Sequence, residues 1–190
     1  MPWKGIVGLS FSPDDFDKYC HDVKWTAWRP TFIALHNTAV PSLAQRPNGL
    51  TAQHIKNLEA FYRDTQGWSA GPHLFVDDLQ IWVFTPLNMS GVHSPSWNKT
   101  GMGVEMLGDF QKEDFDSGRG LAVQQNAVAA IATLSAVLGI DPDTMRLHKE
   151  DPETTHNCPG KNVDKARFIQ AVKDLMAARH AGEHLQPAVA

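Results

Sequence analysis

The stretch that most constrains this chain is Thr31-Phe32-Ile33-Ala34-Leu35, an apolar run with β-branched and aromatic residues that stops at His36-Asn37-Thr38. So short a run reads as a buried strand, and it delivers His36 to its end. Such a strand needs cover, and the remaining chain supplies it by interleaving strand-like and helix-like segments. Ser12-Pro13-Asp14-Asp15 starts a helix that runs to about residue 23. Ser12 caps it, Pro13 takes the first helical position and the acids complement the positive helix end. Phe11 and Phe16 stand where a hydrophobic staple would put them. After a Pro- and Gly-containing loop over 41–49, Thr51 opens a second helix, with Ile55, Leu58 and Tyr62 along one face and Gly67 as its stop.

His73-Leu74-Phe75-Val76 and Ile81-Trp82-Val83-Phe84 flank the polar Asp77-Asp78-Leu79-Gln80, the pattern of a β-hairpin. Gly101 to Leu107 reads as another strand, carrying Glu105. Val128, Ile131, Leu134 and Leu138 recur at helical spacing, which predicts a helix from Leu121 to Leu138 that Gly139 terminates. Met145-Arg146-Leu147-His148 is a short last strand. A loop from Lys149 to Lys161 then leads to an amphipathic helix from Asn162 to about Arg179, with Phe168, Val172 and Leu175 inward, and a loose tail after His180. The order implies a single α/β domain over residues 1–190: a central, mostly parallel mixed sheet with a β-hairpin, flanked by helices. No stretch is expected to be left over for a second binding module.

A net charge of -4 argues against a nucleic-acid surface, which needs a basic face, and no polybasic cluster marks a membrane anchor. No segment is read as long enough to span a membrane. The start, MPWKGIVGLSFSPDD, lacks the basic-then-apolar pattern of a secretory signal, so the chain is expected to be cytoplasmic as synthesised. Its two cysteines, Cys20 and Cys158, suit a reducing compartment or a metal site better than a disulfide framework.

His36, His148 and Cys158 are the candidate ligands of a zinc ion, Zn2+. Zinc takes neutral imidazole and thiolate, and a catalytic site leaves its fourth position to water. Both histidines end apolar strands, and parallel strands end on one side of a sheet. Cys158 follows His148 by ten residues, in a loop able to curl back. Spacing alone leaves a plainer reading open, in which the histidines are satisfied by hydrogen bonds and Cys158 is a buried thiol.

Phe32-Ile-Ala-Leu-His-Asn-Thr-Ala39, Gly71-Pro-His-Leu-Phe-Val-Asp77, Met102-Gly-Val-Glu-Met-Leu-Gly108 and His148 with Thr155-His-Asn-Cys-Pro-Gly160 resemble, in order, the motifs of the type-2 N-acetylmuramoyl-L-alanine amidases. That family includes phage lysozymes with amidase activity, cell-wall recycling amidases and peptidoglycan recognition proteins. The resemblance spans about residues 30 to 160 and implies that His36, His148 and Cys158 hold zinc. It implies Glu105 as general base. Other members use a tyrosine before the histidine of Gly-Tyr-His, and Pro72 stands there in this chain. It implies His156 as the group that stabilises the oxyanion, the family pattern favouring His148 over His156 as ligand. His93 resembles a position near the substrate cleft, and Asn37, beside the first ligand, is a candidate contact for the peptide. Trp68, Trp82 and Trp97 are open between core and sugar platform.

The implied reaction cleaves the amide between N-acetylmuramic acid and L-alanine in peptidoglycan or a muropeptide; no nucleic-acid or membrane partner is expected, and a monomer is favoured with the oligomeric state left open. A phage-type lysin that reaches the wall after release is favoured over a recycling enzyme, because the cysteine ligand resembles phage members. The rivals are a non-catalytic peptidoglycan-binding module and a zinc peptidase, for which no H-E-x-x-H motif is present.

Overall fold

The computed structural model describes residues 2–25 and 28–184. Its elements are β1 (Leu9–Phe11), α1 (Pro13–Asp22), β2 (Phe32–Asn37), α2 (Ala52–Ala60), β3 (Leu74–Val76), β4 (Ile81–Val83), β5 (Gly101–Met106), α3 (Gly118–Leu138), β6 (Arg146–Leu147) and α4 (Lys165–His184). The six strands form one sheet in the order β1-β4-β3-β5-β2-β6. β3, β5, β2 and β6 run parallel, and β4 and β1 are antiparallel to their neighbours. This is the expected mixed α/β sheet with its hairpin, plus an edge strand, β1, that sequence reading did not find.

Local chemistry explains most boundaries. Ser12 Oγ accepts the Asp15 N–H at 3.2 Å, and the Phe11 and Phe16 rings lie 6.4 Å apart as the staple requires. Such a cap stabilises a helix by about 1 kcal/mol. Thr51 caps α2 through its side chain and donates its own N–H to His54 Nδ1 at 3.2 Å, so an imidazole accepts in the place usually taken by Glu or Gln. After Ala60 the helix widens into a π-type turn over Phe61–Thr65, and Gly67, at φ 64°, ends the run as expected. Asp77 makes the hairpin turn by accepting the N–H groups of Leu79 and Gln80, each at 2.8 Å. α3 starts at Gly118, earlier than expected, and ends on Gly139 at φ 68°, a left-handed cap that a side chain would strain. α4 starts later, at Lys165, where Asp164 accepts the Arg167 N–H at 3.0 Å. It continues to His184; the rest of the expected loose tail, 185–190, lies outside the described residues.

Strand periodicity divides the sheet. Ile33, Leu35, Leu74, Val76, Met102, Val104 and Met106 share one face by register and are buried in the core that includes Val123, Ile131 and Leu134 of α3. α3 packs on β3, β4 and β5 and is covered in turn by α1 and α4. Each large side chain sealed there contributes roughly 1.5–3 kcal/mol. The expectation that no segment reaches spanning length is corrected here. With its extra first turn, α3 is long and apolar enough to cross a membrane by length and composition, at a mean hydropathy of 1.5. More than half of that window is buried inside the fold, so its hydrophobicity is satisfied as the core helix.

Candidate metal and catalytic site

The other sheet face is built for chemistry. Parallel β2, β5 and β6 end along one edge, so their last residues meet there. His36 of β2 is paired in register with Glu105 of β5, and side chains in register point the same way. His148 follows directly on β6, in a short 3₁₀ turn, His148–Glu150. Two residues before Glu105, on the same face, Gly103 leaves a gap. A Cβ there would lie 2.5 Å from His93 Cγ, so only glycine lets that imidazole settle over the strand.

Cys158 is brought in by its loop. Lys149 N–H bonds to the Cys158 carbonyl at 2.8 Å, and Asn37 N–H is aimed at Cys158 Sγ at 3.2 Å. Buried Asp151 anchors this loop to the segment carrying His93. Its carboxylate accepts hydrogen bonds from the Ser94 hydroxyl, from Ser96 Oγ at 2.6 Å and Ser96 N–H at 3.1 Å, and from Glu153 N–H at 2.9 Å. One ligand atom from each of His36, His148 and Cys158 then lies within 4.8 Å of the other two. Two imidazoles and a thiol, converging at the edge of an open cleft, are a donor set that could hold a metal ion, and nitrogen and sulfur donors of this kind suit zinc.

The electrostatics agree with that donor set. Burial, with His93 and His148 adding to it, holds His36 well below the ordinary imidazole range, and burial and His156 lower His148. Both are therefore neutral lone-pair donors. Burial raises the Glu105 carboxyl to about 8 and pushes the Cys158 thiol up, with Glu105 adding to the latter shift. A cation between them would reverse both shifts, since it favours the charged forms. Burial lowers His93 to about 4 and His73 to about 3. Burial alone would raise Asp151, but bonds from Ser94, Ser96 and Glu153 hold it down to about 2.

The structure gathers His36, Asn37, His93, Glu105, His148, His156 and Cys158 around one cleft of about 370 Å³. They are not equivalent within it. His156 sits on the exposed loop, its ring 5.8 Å from that of His148, and is not one of the converging donors. Asn37 lines the cleft but spends its Nδ2 on the Gly108 carbonyl at 3.0 Å, while its backbone N–H meets Cys158. His93 has both ring nitrogens engaged by protein atoms. His73 is buried and accepts the Gly103 N–H at Nδ1. Among the tryptophans, Trp82 and Trp97 are core, each 5% exposed, and Trp68 lines the cleft. Sequence reasoning missed Tyr62. The widened turn after α2 places it on the cleft wall, stacked on Trp68 at 4.9 Å and near Glu105. Nothing in the local pattern signals that turn. Cys20 and Cys158 are both free, Cys20 in the core.

Residues 26–161 match the family described as N-acetylmuramoyl-L-alanine amidase. An N-acetylmuramoyl-L-alanine amidase of Sus scrofa is 27% identical over 159 residues, covering 80% of this chain and 26% of its own length. The amidase XlyA of Bacillus subtilis is 30% identical over 142 residues, covering 73% of this chain and 42% of its own. The catalytic domain of XlyA superimposes with a TM-score of 0.59 at 26% identity, over 78% of this chain and 90% of that domain. The endolysin LysCS of Clostridium intestinale shares the fold, with a TM-score of 0.60 at 22% identity over 80% of this chain and 92% of that one. The chain thus spans about a quarter of the pig relative and less than half of XlyA.

Proposed function

The chain belongs to the N-acetylmuramoyl-L-alanine amidase family, and on that premise we propose that it hydrolyses the amide joining the lactyl group of N-acetylmuramic acid to L-alanine, with zinc held by His36, His148 and Cys158. The observation that carries this reading is the convergence of those three donors beside Glu105 in one cleft. Zinc bound there supplies an acidified water and a positive charge for the carbonyl oxygen. Glu105 takes a proton from the attacking water and passes it to the leaving nitrogen of L-alanine. The carbon–nitrogen bond breaks, a carbon–oxygen bond forms, and a lactyl carboxylate and a free amine leave. His156, on the loop above His148, donates a hydrogen bond to the carbonyl oxygen as it gains charge. Pro72 offers no phenol for proton transfer, which leaves the base role with Glu105.

We place the chain among lysins of the phage type, made in the cytoplasm and delivered to the wall by a separate release event. The cysteine among the proposed ligands and the likeness to an endolysin from Bacillus subtilis, 27% identical over 76% of this chain, support this setting over muropeptide recycling. Digestion of purified peptidoglycan tests the bond assignment. New L-alanine amino termini without new reducing ends are expected. Reducing ends without amino termini would mean a glycosidase, and neither product would mean a binding module.

A further inference from the structure

His36 and His93 form a hydrogen-bonded pair whose direction can be worked out. His93 Nε2 lies 3.0 Å from the carbonyl oxygen of Gly101, and His93 Nδ1 lies 3.0 Å from His36 Nε2. A carbonyl oxygen only accepts, so His93 Nε2 must carry the proton. No carboxylate is hydrogen-bonded to the buried His93 ring, which is therefore neutral, and its Nδ1 is an acceptor. His36 Nε2 must then be the donor, and that leaves His36 Nδ1 with its lone pair bare. We propose that His93 is a positioning residue for the metal: the chain Gly101 carbonyl–His93–His36 locks His36 in the one tautomer that presents Nδ1 to zinc. This rests on the zinc reading above.

Two features fit this role better than contact with substrate. Both ring nitrogens of His93 are committed to protein atoms, so only the ring edge is free to touch a ligand. The ring is also seated by a gap, since Gly103 lacks the Cβ that would strike it. The carbonyl that orients it belongs to β5, the strand that carries Glu105. One strand thereby sets both the proton acceptor and, through His93, the tautomer of the first ligand. Groups that orient a metal-bound histidine in this way typically change metal affinity by about 10- to 100-fold when removed.

The test reads tautomer and zinc affinity, not turnover. In ¹⁵N-histidine-labelled protein stripped of metal, long-range proton–nitrogen correlations should show His36 and His93 both protonated at Nε2. His36 protonated at Nδ1 would overturn the proposal. Chelator competition should then show His93→Phe binding zinc about 10- to 100-fold more weakly than wild type. His93→Asn should recover most of the loss, because its Oδ1 replaces the Nδ1 acceptor. Gly103→Ala, which displaces the ring without altering either histidine, should weaken binding as well. Unchanged affinity in folded His93→Phe, or equal losses in Phe and Asn, would sink the idea. If His93→Phe does not fold, the wild-type tautomers and the Asn variant still decide. Wild-type protein that binds no zinc would instead remove the function reading itself.

Discussion

The two faces of β5 divide the molecule between them. Met102, Val104 and Met106 go under α3 into a sealed apolar core, whereas Gly101, Gly103 and Glu105 face the cleft side. The first face is held by buried area, which is non-directional and tolerates changes that conserve volume. The second depends on single atoms in fixed places: a gap at Gly103, a carboxylate at Glu105, a carbonyl at Gly101. The lesson is that parity along one strand assigns a substitution to stability or to chemistry before any measurement is made.

Breaking the cleft face at the metal should have the largest effect. Wild-type protein is expected to carry near-stoichiometric zinc, and His148→Ala and Cys158→Ser are each expected to lose it, and with it turnover, while keeping the fold. Elemental analysis checks this, and zinc retained by both would dissolve the donor trio. His156→Ala is the internal contrast. It should keep zinc and lose about 10²–10³ in turnover, the cost of one oxyanion donor. If it is the zinc-free variant and His148→Ala is not, the two histidines exchange roles.

Next comes Glu105→Gln, which preserves size and removes the proton acceptor. A loss of about 10²–10⁴ in rate with full zinc content is expected. Near-normal turnover would move the base elsewhere, with Tyr62 on the same wall the first group to examine.

The core face sharpens the comparison from the other side. Leu134→Ala should cost about 2–5 kcal/mol in denaturant unfolding, yet leave turnover per folded molecule unchanged. A fall in turnover like that of Glu105→Gln would show that the faces are coupled through β5 and that parity misleads.

The last expected effect is a pH dependence of stability in the metal-free protein. Glu105 holds its proton to about 8 when folded and releases it near 4.5 when unfolded. In acid both states are protonated and Glu105 contributes nothing to the difference. As pH rises from 4.5 towards 8, the unfolded chain ionises first, so the folded state loses stability across that window. The advantage of Glu105→Gln over wild type should be absent at the acid end and grow towards the alkaline end. Equal stabilities throughout would mean that cleft water already solvates the carboxylate.

Where the sequence was legible, the signal was local. The apolar run ending on His36, the Ser12 and Thr51 caps, the Asp77 turn and the Gly139 stop are written within a few residues, and each appears in the structure. What escaped is set from a distance. β1 is a three-residue edge strand with Leu9 largely exposed, so no hydrophobic pattern announces it; its pairing with β4 defines it. Tyr62 was read as part of a helix face, and a widened turn took it to the cleft. His93 resembles a family position near the substrate cleft, and it does line the cleft. Its ring is oriented by a carbonyl eight positions on and by the space above Gly103, neither visible in Gly-Val-His-Ser-Pro.

Asp151 carries a consequence for how the site behaves in acid. Its carboxylate ties the segment bearing His93 to the loop bearing His148 and Cys158, and its hydrogen bonds hold it down to about 2. A carboxyl lowered in this way keeps stabilising the fold until the pH falls through that value. Protons compete with a metal for the lone pairs of Cys158 and His148, so an ion held there would be displaced as the pH falls. The tie between the two segments is expected to hold through that fall until about pH 2. A site emptied by mild acid would then keep its donors in place and reload on neutralisation without refolding.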